Sequence, residues 1–332
     1  MFRRHTLFVV GAGASAEFGL PVGIGLARQI IEKMDIRFER GFDFVGSGDQ
    51  RLYQQIVHMN RQDAHDWQPT AMRIRNGLPF AQSIDDFLDQ RRSDRLINLY
   101  GKSAICQAIL EAERESKLFF DPFQSDRPFD ADAIADTWLV KFMYMLCRGI
   151  PRENVASIFE SVDFIVFNYD RCIEQFLISA LQRAYSINEA DSSAIVRELE
   201  ILHPYGSVGQ LSDVRFGYSG ANCVALAEKI KTYTEQADEK AVLREITERV
   251  DWADCIVFLG FAYHSQNMQM LRSSERGTKT VYGTAFGMSN QDRDEVNKLI
   301  SQTLGPAAMY VENTLKCAGL FDTYAKSLTG GD

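Results

Sequence analysis

The sequence predicts an α/β protein built on a doubly wound parallel sheet, and three observations lead there. Apolar runs of strand length recur at residues 7–10, 164–167, 201–203, 255–259 and 280–283. Helix-periodic sequence is interleaved with them, the alternation that buries a parallel sheet between two helical layers. Residues 31–154, between the first two runs, are largely helical in pattern. The expected organisation is a Rossmann-like domain formed by residues 1–30 and 155–332, with a mainly helical subdomain, 31–154, inserted in it.

The first run, Leu7-Phe8-Val9-Val10, leads directly into Gly11-Ala12-Gly13-Ala14-Ser15-Ala16. In a G-x-G-x-x-G/A pattern Gly11 permits the tight turn, Gly13 lets backbone approach an anion, and Ala16 is small enough for close helix packing. The N–H groups at the following helix start would face a pyrophosphate. A glycine turn made only for packing is the competing reading. The ordinary dehydrogenase arrangement is excluded, because it needs a second strand ending in an acid about 20 residues further on. Here Ile24-Gly25-Leu26-Ala27-Arg28-Gln29-Ile30-Ile31-Glu32 is helix-periodic instead.

Within the insertion, Ser83-Ile84-Asp85-Asp86-Phe87-Leu88 reads as an amphipathic helix start, and 134–143 carries a second apolar period. Residues 119–130 contain two prolines and read as a loop. Beyond the insertion, 213–222 reads as a loop or short hairpin and 225–252 as charged helix.

Composition excludes several classes of function. With 36 Lys and Arg against 45 Asp and Glu, the net charge is −9, and no basic cluster marks a nucleic-acid surface. No uncharged apolar run reaches the roughly 18 residues of a membrane span, and no cleavable signal opens the chain, so a cytoplasmic protein is expected. The six cysteines are scattered singly, without disulfide-framework or zinc-ribbon spacing. His58 and His65 share a helix face but lack a third ligand, so no metal is expected.

Ligands of open parallel sheets sit beyond the carboxyl ends of the strands. Asn168 and Asp170 stand there after the 164–167 run; their alternative role is capping, with Asp170 accepting from the N–H of Cys172 or Ile173. His203 closes the 201–203 run, and an imidazole exchanges a proton near neutral pH unless it is simply structural. Pro204 and Gly206 would fix the loop that presents it. The fourth turn, Gly260-Phe261-Ala262-Tyr263-His264-Ser265, offers a close-approach glycine. His264 reads there as a loop residue without a catalytic role.

Taken together these blocks resemble the SIR2 family. The match is Gly11-Ala12-Gly13-Ala14-Ser15 with Gly19-Leu20-Pro21, then Val166-Phe167-Asn168-Tyr169-Asp170, then Leu202-His203-Pro204-Tyr205-Gly206, then Phe258-Leu259-Gly260-Phe261 with Ser265-Gln266-Asn267. The resemblance implies a SIR2/DHS-like Rossmann sheet that binds NAD. Gly11, Ala12, Gly13, Ser15, Pro21, Gly206, Gly260, Phe261, Ser265 and Asn267 would contact the dinucleotide. Asn168 would orient the nicotinamide ribose or a water, Asp170 would shape the same pocket, and His203 would be the general base. Nicotinamide leaves NAD as a neutral ring, so ribose placement and polar oxygens around the oxocarbenium-like sugar matter more than acid catalysis.

Two departures decide the expected activity. Val22-Gly23-Ile24 replaces the aromatic residue and arginine usual in protein deacylases, and the four-cysteine zinc module is missing. The chain is more similar to SIR2-like domains of bacterial antiviral systems, which also carry a helical insertion and an Ile-Asp-x-Phe-Leu-like segment. That resemblance implies an NAD glycohydrolase with NAD as substrate, working as a homo-oligomer beside a separate sensor or ATPase protein. A non-catalytic NAD or ADP-ribose sensor and an NAD-dependent deacylase remain the alternatives.

Overall fold

The computed structural model describes residues 2–38, 45–59, 66–121, 129–237, 239–274 and 277–330. His65 and the proline-bounded stretch 122–128 lie outside the described residues. Five strands form the central sheet: β1 (Thr6–Val10), β2 (Val162–Val166), β3 (Cys255–Leu259), β4 (Lys279–Thr284) and β5 (Ala307–Glu312). All pair in parallel, in the order β2-β1-β3-β4-β5.

Outside β2, Leu202 adds a single parallel bridge to Ile165. Counting that bridge as a rudimentary strand, the order is 3-2-1-4-5-6, which is the Rossmann-like order with its reversal between β1 and β3. The run 201–203 was expected to be a full strand. It is held to one bridge because Glu200 takes a left-handed φ of 48° on one side and Pro204, which has no N–H, follows on the other. β5 was not expected. Its burial alternates between half-buried and exposed with only Val311 buried, so it lacks the apolar run that marks the central strands.

Alternation along each strand divides the interior into two cores. Leu7, Val9, Ile165, Ile256, Phe258 and Val281 point into one. Phe8, Val10, Phe164, Val166, Val257 and Tyr282 point into the other. Both faces are covered, as continuous apolar strand sequences require.

The 31–154 segment is mainly helical, but it does not make a core of its own. Helix Gly23–Met34 runs across the expected boundary at residue 30, and helices Trp67–Gly77, Ile84–Asp89 and Arg95–Glu115 pack their apolar sides on the first face of the sheet. Helix Trp138–Cys147 instead covers the second face, with Phe142 edge-on to Phe8 at 5.2 Å. A two-stranded antiparallel pair, Arg37–Phe38 with Val45–Ser47, also lies within the segment. Residues 225–252 divide among short helices ending in Lys240–Trp252. Among the described residues no helix is long and apolar enough to cross a membrane.

One buried ion pair ties the helical layer to the site. Arg171 and Glu113 are both almost completely buried and meet through two guanidinium nitrogens, Nε to Oε1 at 3.1 Å and Nη2 to Oε2 at 2.5 Å. Arg171 also donates to the carbonyls of Gly209, Val214 and Arg215, and Glu113 accepts from the Gly217 amide. The 209–217 loop is thereby fixed beneath helix Arg95–Glu115.

Candidate active site

A cavity of about 800 Å³ opens at the carboxyl edge of the sheet, across the reversal between β1 and β3. That is within the range of small-molecule sites, about 300–1,000 Å³. Its walls come from the turn after β1, the turn after β2, helix Ile84–Asp89, and the turns after β3 and β4. Four strand-end turns distant in sequence therefore meet at one cavity, where the strand-end rule puts a ligand.

The two glycine turns interlock. Gly11 N donates to Leu259 O at 2.9 Å and Gly13 N to Gly260 O at 3.0 Å. A Cβ on Gly11 would stand 2.6 Å from Gly260 O, and one on Gly260 would stand 2.0 Å from Ala14 N. Gly260 also has a φ of 56°, which favours glycine. Ala14 N donates to Gly11 O. The amides of Gly11, Gly13 and Ala14 are thus committed to protein acceptors, and these glycines allow close packing of the two turns. Gly11, Ala12 and Gly13 nevertheless line the cavity.

Asn168 reaches the cavity wall although it is 6% exposed. Its Nδ2 donates to Ser15 Oγ at 3.1 Å, and Ser15 Oγ donates to Asp170 Oδ1 at 3.0 Å. Asp170 Oδ1 also accepts from Cys172 N at 3.1 Å, one of the helix-start bonds its alternative role named, although the N-cap position itself is Arg171. Burial pushes the Asp170 carboxyl up, against the pull of those hydrogen bonds. Ser15 and Asp170 thus stand behind Asn168 and do not line the cavity.

His203 does not line it either. Its Nδ1 lies 2.9 Å from the Asn168 carbonyl and its Nε2 2.9 Å from Glu174 Oε1. Both partners act as acceptors, an arrangement that favours the doubly protonated ring. Burial alone would lower its pKa, but Glu174 and the Asn168 carbonyl outweigh it and hold the ring above its ordinary 6.5. His203 was expected as the general base; here it lies behind the cavity wall with both ring nitrogens engaged, and it holds the Asn168 backbone. Gly206, at φ 74°, turns the same block so that Tyr205 faces the cavity instead, its hydroxyl donating to Asn267 Oδ1.

Of the remaining expected contacts, Gly260, Phe261, Ser265 and Asn267 line the cavity, whereas Pro21 and Gly206 do not. Phe261 meets Phe167 edge-on at 5.1 Å, and Phe167 meets Tyr205 at 5.7 Å, which gives one wall an aromatic surface.

Sequence reasoning missed the acidic wall. Helix Ile84–Asp89 buries Ile84, Phe87 and Leu88 in the core and turns Asp85, Asp86 and Asp89 to the cavity. Ser83 caps it by accepting from Asp86 N. Asp89 is engaged by Thr234 N and Asp86 by Gln90, whereas Asp85 accepts from the buried Tyr169 hydroxyl. Burial pushes the Asp85 carboxyl up, with the Tyr169 hydrogen bond and the charge of His264 acting against it. Glu17 also borders the cavity, but its carboxylate accepts from the helix-start amides of Trp138 and Ala318 at 2.9 Å each. Lys316 is the cation of the lining, with Nζ 5.2 Å from the Phe286 ring. The amphipathic spacing around Asp85 was the available signal, since residues opposite a buried stripe face away from the core.

No protein-family model matches this sequence, and no curated protein matches it either. Among the described residues no group of three or more His, Cys, Asp or Glu side chains has the arrangement of a metal site.

Proposed function

We propose that the protein is an NAD glycohydrolase of the SIR2-like kind, cleaving NAD to nicotinamide and ADP-ribose. The observation that carries this reading is the convergence of Asn168, the interlocked glycine turns and an acidic wall on one cavity at the sheet reversal. In this reading the dinucleotide lies along 11–13 and 260–267, with its nicotinamide ribose beside Asn168. Cleavage moves the electron pair of the C1′–N bond onto the pyridinium nitrogen and leaves positive charge on the ribose. The carboxylates of Asp85 and Asp86 stabilise that charge, and fixed groups do so without reorganising. Water then bonds to C1′ and loses a proton.

The same reading makes the chain the NAD-depleting effector of an antiphage system, cytoplasmic, oligomeric, and restrained by a separate sensor or ATPase protein. Nicotinamide release on incubation with NAD tests it. The place of His203 behind the cavity wall favours one second reading, a module that binds NAD or ADP-ribose and regulates a partner without turnover. Saturable binding with NAD recovered intact selects that reading.

A further inference from the structure

We propose that His264 is the proton acceptor of this cavity, taking the proton from the water that attacks the ribose, with Asp85 stabilising the imidazolium that forms. The inference rests on the glycohydrolase reading. Among the described histidines only His264 lines the cavity, and Asp85 lines it too.

The backbone that presents His264 is strained and anchored. Tyr263 holds a φ of 56°, a conformation costly for a bulky residue and one that persists only where its surroundings impose it. Its buried ring packs against Phe258 at 5.3 Å and Phe261 at 5.4 Å, and its hydroxyl donates to Thr284 O at 3.2 Å. Room for that hydroxyl comes from Gly283, where a Cβ would stand 2.5 Å from it. Thr284 also holds the other end of the turn, its Oγ1 accepting from Gly260 N at 2.8 Å. β4 thus pins both ends of the 260–263 turn, and the next residue, His264, is exposed at the cavity.

Asp85 and His264 line the same cavity, and the charge of His264 acts against the burial that pushes the Asp85 carboxyl up. The other titratable or charged groups around the cavity are Asp86 and Asp89 on the same helix, Glu17, Tyr205, Tyr233, Lys316 and Cys317; the Glu17 carboxylate accepts from the amides of Trp138 and Ala318. Asp86 and Asp89 already accept hydrogen bonds from Gln90 and Thr234, and Tyr205 donates to Asn267. The step balances: the C1′–N bond breaks with its electrons passing to the ring nitrogen, the water oxygen bonds to C1′, and the water proton passes to His264.

The test compares NAD hydrolysis by full-length wild type, His264→Ala, Asp85→Asn and a surface control, His58→Ala, across pH. His264→Ala is expected to lose about 100-fold or more in kcat, the usual scale of general-base catalysis. It should keep NAD-dependent thermal stabilisation, lose the acid limb of the pH profile and regain activity with added imidazole. Asp85→Asn should shift that acid limb, and the control should match wild type. His264→Ala retaining kcat within about threefold, with the profile unchanged, overturns the role of His264 while leaving the glycohydrolase reading standing. A wild type that binds NAD and never cleaves it overturns both.

Discussion

Gly13 and Gly260 lie backbone against backbone, the amide of one donating to the carbonyl of the other at 3.0 Å. The contact joins the turn after β1 to the turn after β3 at the point where the strand order reverses. Gly260→Ala places a methyl 2.0 Å from Ala14 N at a left-handed φ. Strain and overpacking together are expected to cost about 2–5 kcal/mol and to abolish NAD binding. Urea denaturation and NAD-dependent thermal shift read the two effects.

Asn168 touches the cavity, and Ser15 touches only Asn168 and Asp170 in that chain of hydrogen bonds. Asn168→Ala is therefore expected to lower kcat about 100-fold, with stability changed by about 1 kcal/mol. Ser15→Ala should lower kcat less, because it removes only the group that orients the carboxamide. Steady-state kinetics of the two variants rank them.

His203 predicts a pH dependence of stability. Its folded pKa is raised above the ordinary 6.5, so its contribution is fully present below that value and is lost as pH rises through the folded value. His203→Ala should remove about 2 kcal/mol in mildly acidic solution and progressively less as the pH rises. Because both ring nitrogens are engaged by Asn168 and Glu174, this variant should lower kcat without altering the shape of its pH profile. Denaturant titrations at several pH values, paired with rate profiles, check both statements.

Glu113→Gln leaves the Arg171 guanidinium buried without its counter-charge. Breaking a buried pair from one side costs about 3–5 kcal/mol. The loop from Gly209 to Gly217 loses its anchor at the same time, so its amides should exchange faster with deuterated water than those of β1 and β3.

Much of this architecture was legible because the central strands are buried on both faces and must be apolar at every position, as Leu7-Phe8-Val9-Val10 is. β5 was not legible, since a half-exposed edge strand such as Ala307–Glu312 needs no such run. The loops after β1, β2 and β3 could be found from strand ends alone, and they supplied Gly11, Asn168 and Gly260. Which side chain of His203-Pro204-Tyr205-Gly206 faces the cavity depends on the turn at Gly206, which spacing does not reveal. Asp85 was visible as a helix-start acid, but its place in the cavity is set by tertiary packing of Ile84, Phe87 and Leu88. Close packing of Gly13 on Gly260 likewise links residues 247 positions apart, beyond any local pattern.

Mass spectrometry of the small molecules left after mixing the full-length protein with NAD tests the central claim most directly. The account predicts nicotinamide and ADP-ribose in equal amounts, formed about 100-fold more slowly by Asn168→Ala than by wild type. NAD recovered intact from a wild-type protein that it thermally stabilises would contradict it.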